Sequence, residues 1–371
     1  YRFDRYRTKP NAPPEATVSV RLPEGETADL DAARIRAEAT NAARDLVNLS
    51  PHDKSPEKLA EAMREGSEGA GLRVEVWNEA RIQEEQMGGL LAVNQGSLDP
   101  PRMVTIEHAP EVSGDEAPVV LVGKGVIYDT GGLSLKPTKN SMDKMKADMG
   151  GAAAVYGAML ALARLNVPVR VVALIPMTDN RPGVRAYVPG DVVTMHSGAT
   201  VEVMNTDAEG RMLLADGLSL ARSLSPRLAV SVATLTGAQG VALGERVGAL
   251  VTRQDGSTEA HHALFTEAGA ASGDTVWPLP LFAHYKAQLR SPVADLQNVG
   301  GRMAGTITAA AFLEHFTRED GEAAYPWAHL DIARPAYLDK PYGVHPKGAS
   351  GFGVRLLLDA IRSLADAPAD A

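Results

Sequence analysis

The chain has 371 residues, of which 44% are hydrophobic and 22% are charged, so it can bury a sizeable core. Its formal net charge of −9 opposes non-specific binding to nucleic acid or to anionic membranes. Because the chain has no cysteine, disulfides, thiolate metal sites and cysteine nucleophiles are excluded. It contains no run of about 18 apolar residues that would predict a membrane-spanning helix.

The predicted elements begin after a proline-rich stretch at 9–27, which is typical of a linker or an extended edge. Helical spacing of Ala, Ile and Leu predicts a helix over 29–48, and Ser55 followed by Pro56 predicts the start of a second helix. From there, strand-like and helical runs alternate. The predicted strands cover 72–77, 103–108, 119–122, 167–174, 200–204, 228–233, 249–253 and 328–332. The later predicted helices cover 145–162, 209–223, 257–269, 307–317 and 351–364.

Several of these strands are near-continuous Val, Leu, Ile and Ala, which is typical of strands buried on both faces. Their alternation with helices predicts an α/β fold, with a doubly wound, mostly parallel mixed sheet flanked by helices on both faces.

Polar segments follow three of the predicted strands. Lys124 and Asp129 come after the strand at 119–122. The segment 205–211 follows the strand at 200–204, and 234–237 follows the strand at 228–233. Because ligand sites in open α/β sheets lie at the carboxyl ends of strands, we expect these segments to converge on one crevice.

Taken singly, these residues have ordinary explanations. Asp207 and Glu209 open a predicted helix, where acidic side chains stabilise the free N–H groups. Asp129 before Thr-Gly-Gly is typical of a turn, and Asp148 near lysines is typical of a solvated helix residue. The Gly-rich segment 123–132 lacks the Gly-Lys-Ser/Thr of a phosphate-binding loop, and the chain contains neither H-E-x-x-H nor G-x-S-x-G.

Together, however, the segments resemble the leucyl aminopeptidase family. The main matches are VGKGVIYDTGGLSLKP at 122–137, NTDAEGR at 205–211 and ATLTGA at 233–238. Further matches are MKADMG at 145–150, PGD at 189–191, NVGGR at 298–302, WAHLDIA at 327–333 and KGASG at 347–351. The resemblance covers residues 35–365, and the NTDAEGR motif in this context is specific enough to outweigh the capping explanation. Asp179, Val188 and Ser231 depart from the family pattern.

The resemblance implies two divalent cations per subunit. It implies these metal ligands: Lys124, Asp129, Asp148, Asp207 and Glu209. Asp129 and Glu209 would serve both cations. The four negative charges of these carboxylates balance two divalent cations. Without metal, four carboxylates in one crevice would raise one another's pKa. Mostly oxygen ligands with one nitrogen suit Mn²⁺, Zn²⁺, Mg²⁺ or Co²⁺.

The resemblance also implies the reaction, in which the cations activate a water for attack on a peptide carbonyl. Lys136 and a backbone N–H near Leu235 would stabilise the oxyanion, and Arg211 would hold a bicarbonate that shuttles the proton. The implied substrate-binding residues are Met145, Asn205, Thr234, Leu235 and Gly237. Helix core remains an equally good explanation for Met145.

The expected activity is therefore removal of the N-terminal residue from peptides, with a broad, Leu-like preference. The alternatives are a dipeptidase or cysteinylglycinase on the same centre, and an aminopeptidase with a second, DNA-binding role. We expect a cytoplasmic homo-oligomer, a hexamer built as a dimer of trimers, with peptides as substrates and no membrane or nucleic-acid partner. Residues 1–30 are expected to be a linker and the remnant of a missing N-terminal domain, and 31–371 the catalytic domain.

Overall fold

The computed structural model describes residues 1–9, 19, 21–24, 28–111 and 116–366, so most of the predicted linker at 9–27 lies outside the described residues. The α-helices within them are α1 Leu30–Asn48, α2 Pro56–Gly66, α3 Glu79–Glu84, α4 Gly88–Asn94, α5 Gly150–Arg164, α6 Gly210–Ala221, α7 Gly237–Leu243, α8 Thr258–Ser272, α9 Ala283–Lys286, α10 Gly305–His315 and α11 Val354–Asp366. The strands are β1 Arg73–Trp77, β2 Arg102–His108, β3 Val119–Gly123, β4 Gly125–Asp129, β5 Val171–Asn180, β6 Val192–Thr194, β7 Thr200–Glu202, β8 Leu228–Ala233, β9 Gly248–Thr252, β10 Val276–Leu279, β11 Leu296–Gln297, β12 Arg318–Glu319, β13 Glu322–Ala323, β14 Trp327–Asp331, β15 Tyr337–Leu338 and β16 Gly348–Ala349.

One mixed sheet dominates the described part of the chain. Its nine strands run in the order β1-β2-β5-β3-β8-β14-β9-β10, and β4 pairs with β5. Strands β3, β4, β5, β8 and β14 are mutually parallel, whereas β2 joins β1 and β5 antiparallel and β9 joins β14 antiparallel. The predicted α/β class with a mostly parallel mixed sheet is confirmed.

Helices cover both faces of this sheet, and the side chains of β5 show why. Val171 and Ala173 point into the apolar cluster that contains α1, α5 and α11. Val172 and Leu174 point into the opposite cluster, which contains α4, α6 and α10. Successive strand side chains alternate between faces, so a strand buried on both must be apolar throughout.

The elements differ most from the prediction in three places. Strand β5 starts at Val171 rather than 167 and continues to Asn180. The glycine-rich segment after β3 forms strand β4 instead of a loop. The helix predicted over 145–162 is two elements, a 3₁₀ helix at Met142–Ala147 and α5 from Gly150. The break between them places Asp148 in a buried position rather than on a solvated helix face.

The start of α2 is as predicted from the sequence, and α1 has a side-chain cap as well. The Ser55 side chain accepts a hydrogen bond from the Lys58 N–H, and Pro56 occupies the first position of α2. The Asp29 side chain caps α1 through the Ala32 N–H. Among the described residues, no helix combines the length and the apolar character that crossing a membrane requires.

Candidate metal centre

The carboxyl ends of the central strands carry a buried cluster of acidic and basic side chains. Lys124 lies between β3 and β4, and Asp129 is the last residue of β4. Asp148 follows the 3₁₀ helix, while Asp207 and Glu209 lie in the turn that leads into α6. Because β3, β4, β5 and β8 are parallel, these separate segments reach the same edge of the sheet.

Two lysines pair with the four carboxylates of this cluster. Lys124 Nζ lies 2.7 Å from Asp148 Oδ2 and 2.9 Å from Glu209 Oε1. Lys136 Nζ lies 2.7 Å from Asp129 Oδ2 and also pairs with Asp207 Oδ1. The structure thus brings together the five predicted ligands and Lys136 around one centre.

The charges and donor atoms of the cluster fit a divalent cation. The two ammonium groups compensate only half of the four carboxylate charges. Asp129, Asp207 and Glu209 each offer an oxygen, and these three atoms lie within 4.8 Å of one another. Glu209 Oε2 is buried and has no hydrogen-bond partner among the described residues. A buried carboxylate oxygen without a partner is costly, and a cation would satisfy it.

Three of the four carboxylates have a raised pKa, whereas Lys124 and Lys136 outweigh burial and lower the pKa of Glu209. Burial, with the charges of Asp129 and Glu209, raises the pKa of Asp207 to about 7. Burial also raises the pKa of Asp148 well above its usual value, and burial and Glu209 raise that of Asp129. Positive charge from a bound cation would stabilise the ionised form of these carboxylates.

Lys124 is a charged ion-pair partner in this arrangement. Burial by itself would lower its pKa, but Asp148 and Glu209 outweigh burial and raise it. Its Nζ also donates to the Thr234 carbonyl at 3.0 Å. A lysine that binds metal must be a neutral amine, so the predicted ligand role requires a cation to displace this proton.

Glycines allow the segments to approach so closely. A Cβ on Gly210 would lie 2.4 Å from Lys124 Cε, so only glycine lets the buried lysine pass the start of α6. Gly131 has φ of +86°, and a Cβ there would lie 2.8 Å from Asp207 Oδ1. The loop from Asp129 to Lys136 can therefore fold back against the Asp207 turn.

Arg211, on the first turn of α6, is buried near this cluster. Its Nη1 donates to the Asn298 carbonyl at 2.7 Å, and its Nε has no hydrogen-bond partner among the described residues. Burial lowers the pKa of Arg211 to about 10, which leaves it charged at neutral pH. A buried cation with a free N–H fits an anionic ligand such as bicarbonate.

The predicted substrate-binding residues fall into two groups. Met145 and Asn205 are half-buried, and Gly237 is exposed. Thr234 is instead part of the lysine–carboxylate network, because its Oγ1 donates to Asp148 Oδ1 at 2.9 Å. The Leu235 N–H donates to Asp331 Oδ1 at 3.1 Å, so in this structure it is engaged rather than free for an oxyanion.

Sequence reasoning missed several buried polar residues that hold the centre together. Asn180 and Tyr187 both donate to the Thr206 carbonyl, at 2.9 and 2.8 Å. Asp331 accepts from Leu235 N and from Thr236 Oγ1, the latter at 2.6 Å. Asn180 and Asp331 each end an apolar strand at the carboxyl edge, and that position was the available signal.

The fold and the centre together define an α/β protein with a buried carboxylate–lysine site suited to divalent cations. Comparison with known proteins agrees. The family model for the cytosol aminopeptidase family, catalytic domain, matches residues 41–358. The chain therefore belongs to the cytosol aminopeptidase family, whose members are metal-dependent aminopeptidases and hence hydrolases.

Individual relatives give the same result. A probable cytosol aminopeptidase of Syntrophotalea carbinolica is 45% identical over 97% of this chain and 72% of its own length. A probable cytosol aminopeptidase of Chlorobaculum tepidum is 51% identical over 87% of this chain. The matched part covers 62% of that relative. Among solved structures, the bottromycin maturation enzyme BotP in complex with Mn is 43% identical, with a TM-score of 0.88 over 98% of this chain and 77% of that chain.

Proposed function

We propose that this chain hydrolyses the N-terminal residue from peptides at a two-cation centre. The observation that carries the proposal is the buried cluster of four carboxylates, only half compensated by Lys124 and Lys136. Membership of the cytosol aminopeptidase family supports the reaction class. The proposed ligands are Lys124, Asp129, Asp148, Asp207 and Glu209.

Cations held there would supply Lewis-acid polarisation of the scissile carbonyl and a water of lowered pKa. The protein's own residues perform the remaining tasks. Lys136 keeps its charge, because Asp129 and other carboxylates outweigh burial and raise its pKa, so it can donate to an oxyanion that develops beside it. Arg211 offers its free Nε to an anion that accepts and returns a proton.

The substrate proposal is a broad preference with Leu-like residues favoured, with Met145, Asn205, Thr234, Leu235 and Gly237 near the first residue. Mn²⁺ is the first cation to test, because the BotP structure contains it, with Zn²⁺, Mg²⁺ and Co²⁺ as the other candidates. The chain is dialysed against chelator, reloaded with each ion and assayed on leucine and methionine chromogenic amides. Absence of amide hydrolysis with every cation, in protein that binds them, would overturn the proposal.

A second candidate is a dedicated role in maturing one peptide. It is favoured because the sequence identity to the bottromycin maturation enzyme, 43%, is close to the 45% identity to a probable cytosol aminopeptidase. A substrate panel separates the two: a dedicated enzyme would cleave one peptide far better than simple amides, whereas a general one would accept many. The same panel tests a dipeptidase or cysteinylglycinase. A gel-shift assay at two salt concentrations tests a DNA-binding role.

We further propose a cytoplasmic hexamer, built as a dimer of trimers. The name of the relatives supports the location. The exposed apolar side chains of Val241, in α7, and Met303, just before α10, support the assembly. A closed assembly around the active sites would restrict substrates to short peptides.

A further inference from the structure

Asn180 is a fully buried amide at the end of β5, directly behind the metal centre. Its Nδ2 donates to Asp129 Oδ1 at 2.7 Å and to the Thr206 carbonyl at 2.9 Å. Both partners are acceptors, so the orientation of the amide is fixed by its contacts. The Asn180 NH₂ group therefore connects the predicted ligand Asp129 to Thr206, the residue before the predicted ligand Asp207.

The two oxygens of Asp129 have different surroundings as a result. Oδ1 accepts from Asn180 Nδ2 and from the Gly131 N–H, at 2.7 and 2.8 Å. Within the part of the chain that the structure describes, Oδ2 has one partner, Lys136, at 2.7 Å. A carboxylate oxygen with two strong donors has little capacity left for a cation, whereas Oδ2 pairs with the Lys136 ammonium, which a cation could replace.

Asn180 also fixes the strand end to the loop. Its main-chain carbonyl accepts from the Thr130 N–H at 3.0 Å and from Thr130 Oγ1 at 2.8 Å. The Asp207 turn has a second anchor, because Tyr187 donates to the same Thr206 carbonyl. Loss of the Asn180 amide would thus leave the turn held and would act mainly on Asp129.

We propose that Asn180 is a positioning residue that commits Asp129 to cation binding through Oδ2 alone. This inference rests on the proposed two-cation centre. Residues that orient ligands in this way typically contribute about 10–100-fold to metal affinity.

The experiment compares Asn180→Asp and Asn180→Ala with the wild-type protein, using Co²⁺ and Mn²⁺ as probes. Asn180→Asp keeps the shape but replaces the donor by an acceptor, so it faces Asp129 and the Thr206 carbonyl without a hydrogen bond. Asn180→Ala frees Asp129 Oδ1 without new charge and decides the matter if the aspartate variant does not fold. Calorimetric titration should show cation affinity about 10–100-fold weaker in both, with a changed visible absorption spectrum of bound Co²⁺.

Asn94→Asp is the matched control. Asn94 Nδ2 also makes two hydrogen bonds, to the Asp99 carbonyl at 2.8 Å and to Thr178 Oγ1 at 2.9 Å, but neither partner is a carboxylate of the cluster. If Asn180 had only a structural role, its substitution would lower the melting temperature of the metal-free protein. The cation affinities of the Asn180 variants and of Asn94→Asp would then not differ.

The outcomes distinguish this inference from the function on which it rests. Wild-type protein that binds two ions, with Asn180 variants that bind them equally well and show the same Co²⁺ spectrum, would overturn the inference alone. Wild-type protein that binds neither ion would overturn both. Weakened binding in the Asn180 variants with wild-type affinity in Asn94→Asp would establish the positioning role.

Discussion

Lys136→Ala separates transition-state stabilisation from metal binding. The substitution removes an ammonium that lies 2.7 Å from Asp129 Oδ2 and pairs with Asp207. If Lys136 stabilises the oxyanion, kcat should fall on the order of 10²–10³-fold, equivalent to about 2.7–4 kcal/mol. Cation affinity should not fall with it. Lys136 competes with a cation for these oxygens, and its loss leaves two carboxylates without a counter-charge.

The assay measures kcat on a leucine chromogenic amide and Mn²⁺ content in the same preparation. Lys144→Ala is the control, because Lys144 Nζ pairs with the exposed Asp339 at 2.7 Å rather than with a carboxylate of the cluster. It should leave both quantities unchanged. An undiminished kcat in Lys136→Ala would remove this lysine from the mechanism, and a parallel loss of bound Mn²⁺ would assign it to the metal site instead.

Three further predictions concern metal, pH and assembly. Glu209→Ala should abolish binding of both cations, since one Glu209 oxygen pairs with Lys124 and a Glu209 oxygen also lies within 4.8 Å of oxygens of Asp129 and Asp207. Full metal content by mass spectrometry would refute a shared ligand. Burial lowers the pKa of His329 to about 3, so the unfolded chain takes up a proton there first and stability is lost as pH falls below about 6.5. Between pH 7 and pH 5 this contributes about 2 kcal/mol, and denaturant unfolding of His329→Gln should show a correspondingly smaller pH dependence. Light scattering should give a hexamer, and a fully active monomer at micromolar concentration would show that assembly is unnecessary.

The tertiary structure also shows the surroundings of Ser231, one of the residues that depart from the family pattern. Ser231 Oγ lies 2.9 Å from His329 Nδ1 and accepts from Trp327 Nε1 at 3.2 Å, so a neutral hydroxyl is the partner of this imidazole. A neutral partner is consistent with the depressed pKa of His329, because no carboxylate stabilises its charged form there.

The sequence by itself was sufficient for the fold class and for the identity of the cluster. Continuous apolar strands such as the one predicted at 119–122 predict burial on both faces, because side chains alternate along a strand. Lys124, Asp129 and Asp207 were found through their place after strands and through a specific family motif. Local hydrogen-bonding chemistry also fixed the N-cap at Ser55, which needs only residues within one helical turn.

Only the tertiary structure decided how these groups interact. Asp148 looked like a solvated helix residue, and its burial follows from a helix break stabilised by distant contacts, among them the Lys124 carbonyl that accepts from Ala152 N at 2.9 Å. The roles of Asn180 and Asp331 depend on partners 51 and 96 residues away in the chain. The engaged Leu235 N–H could not be predicted for the same reason. Hydrogen bonds between segments far apart depend on how the sheet brings strand ends together, and no local pattern encodes that distance.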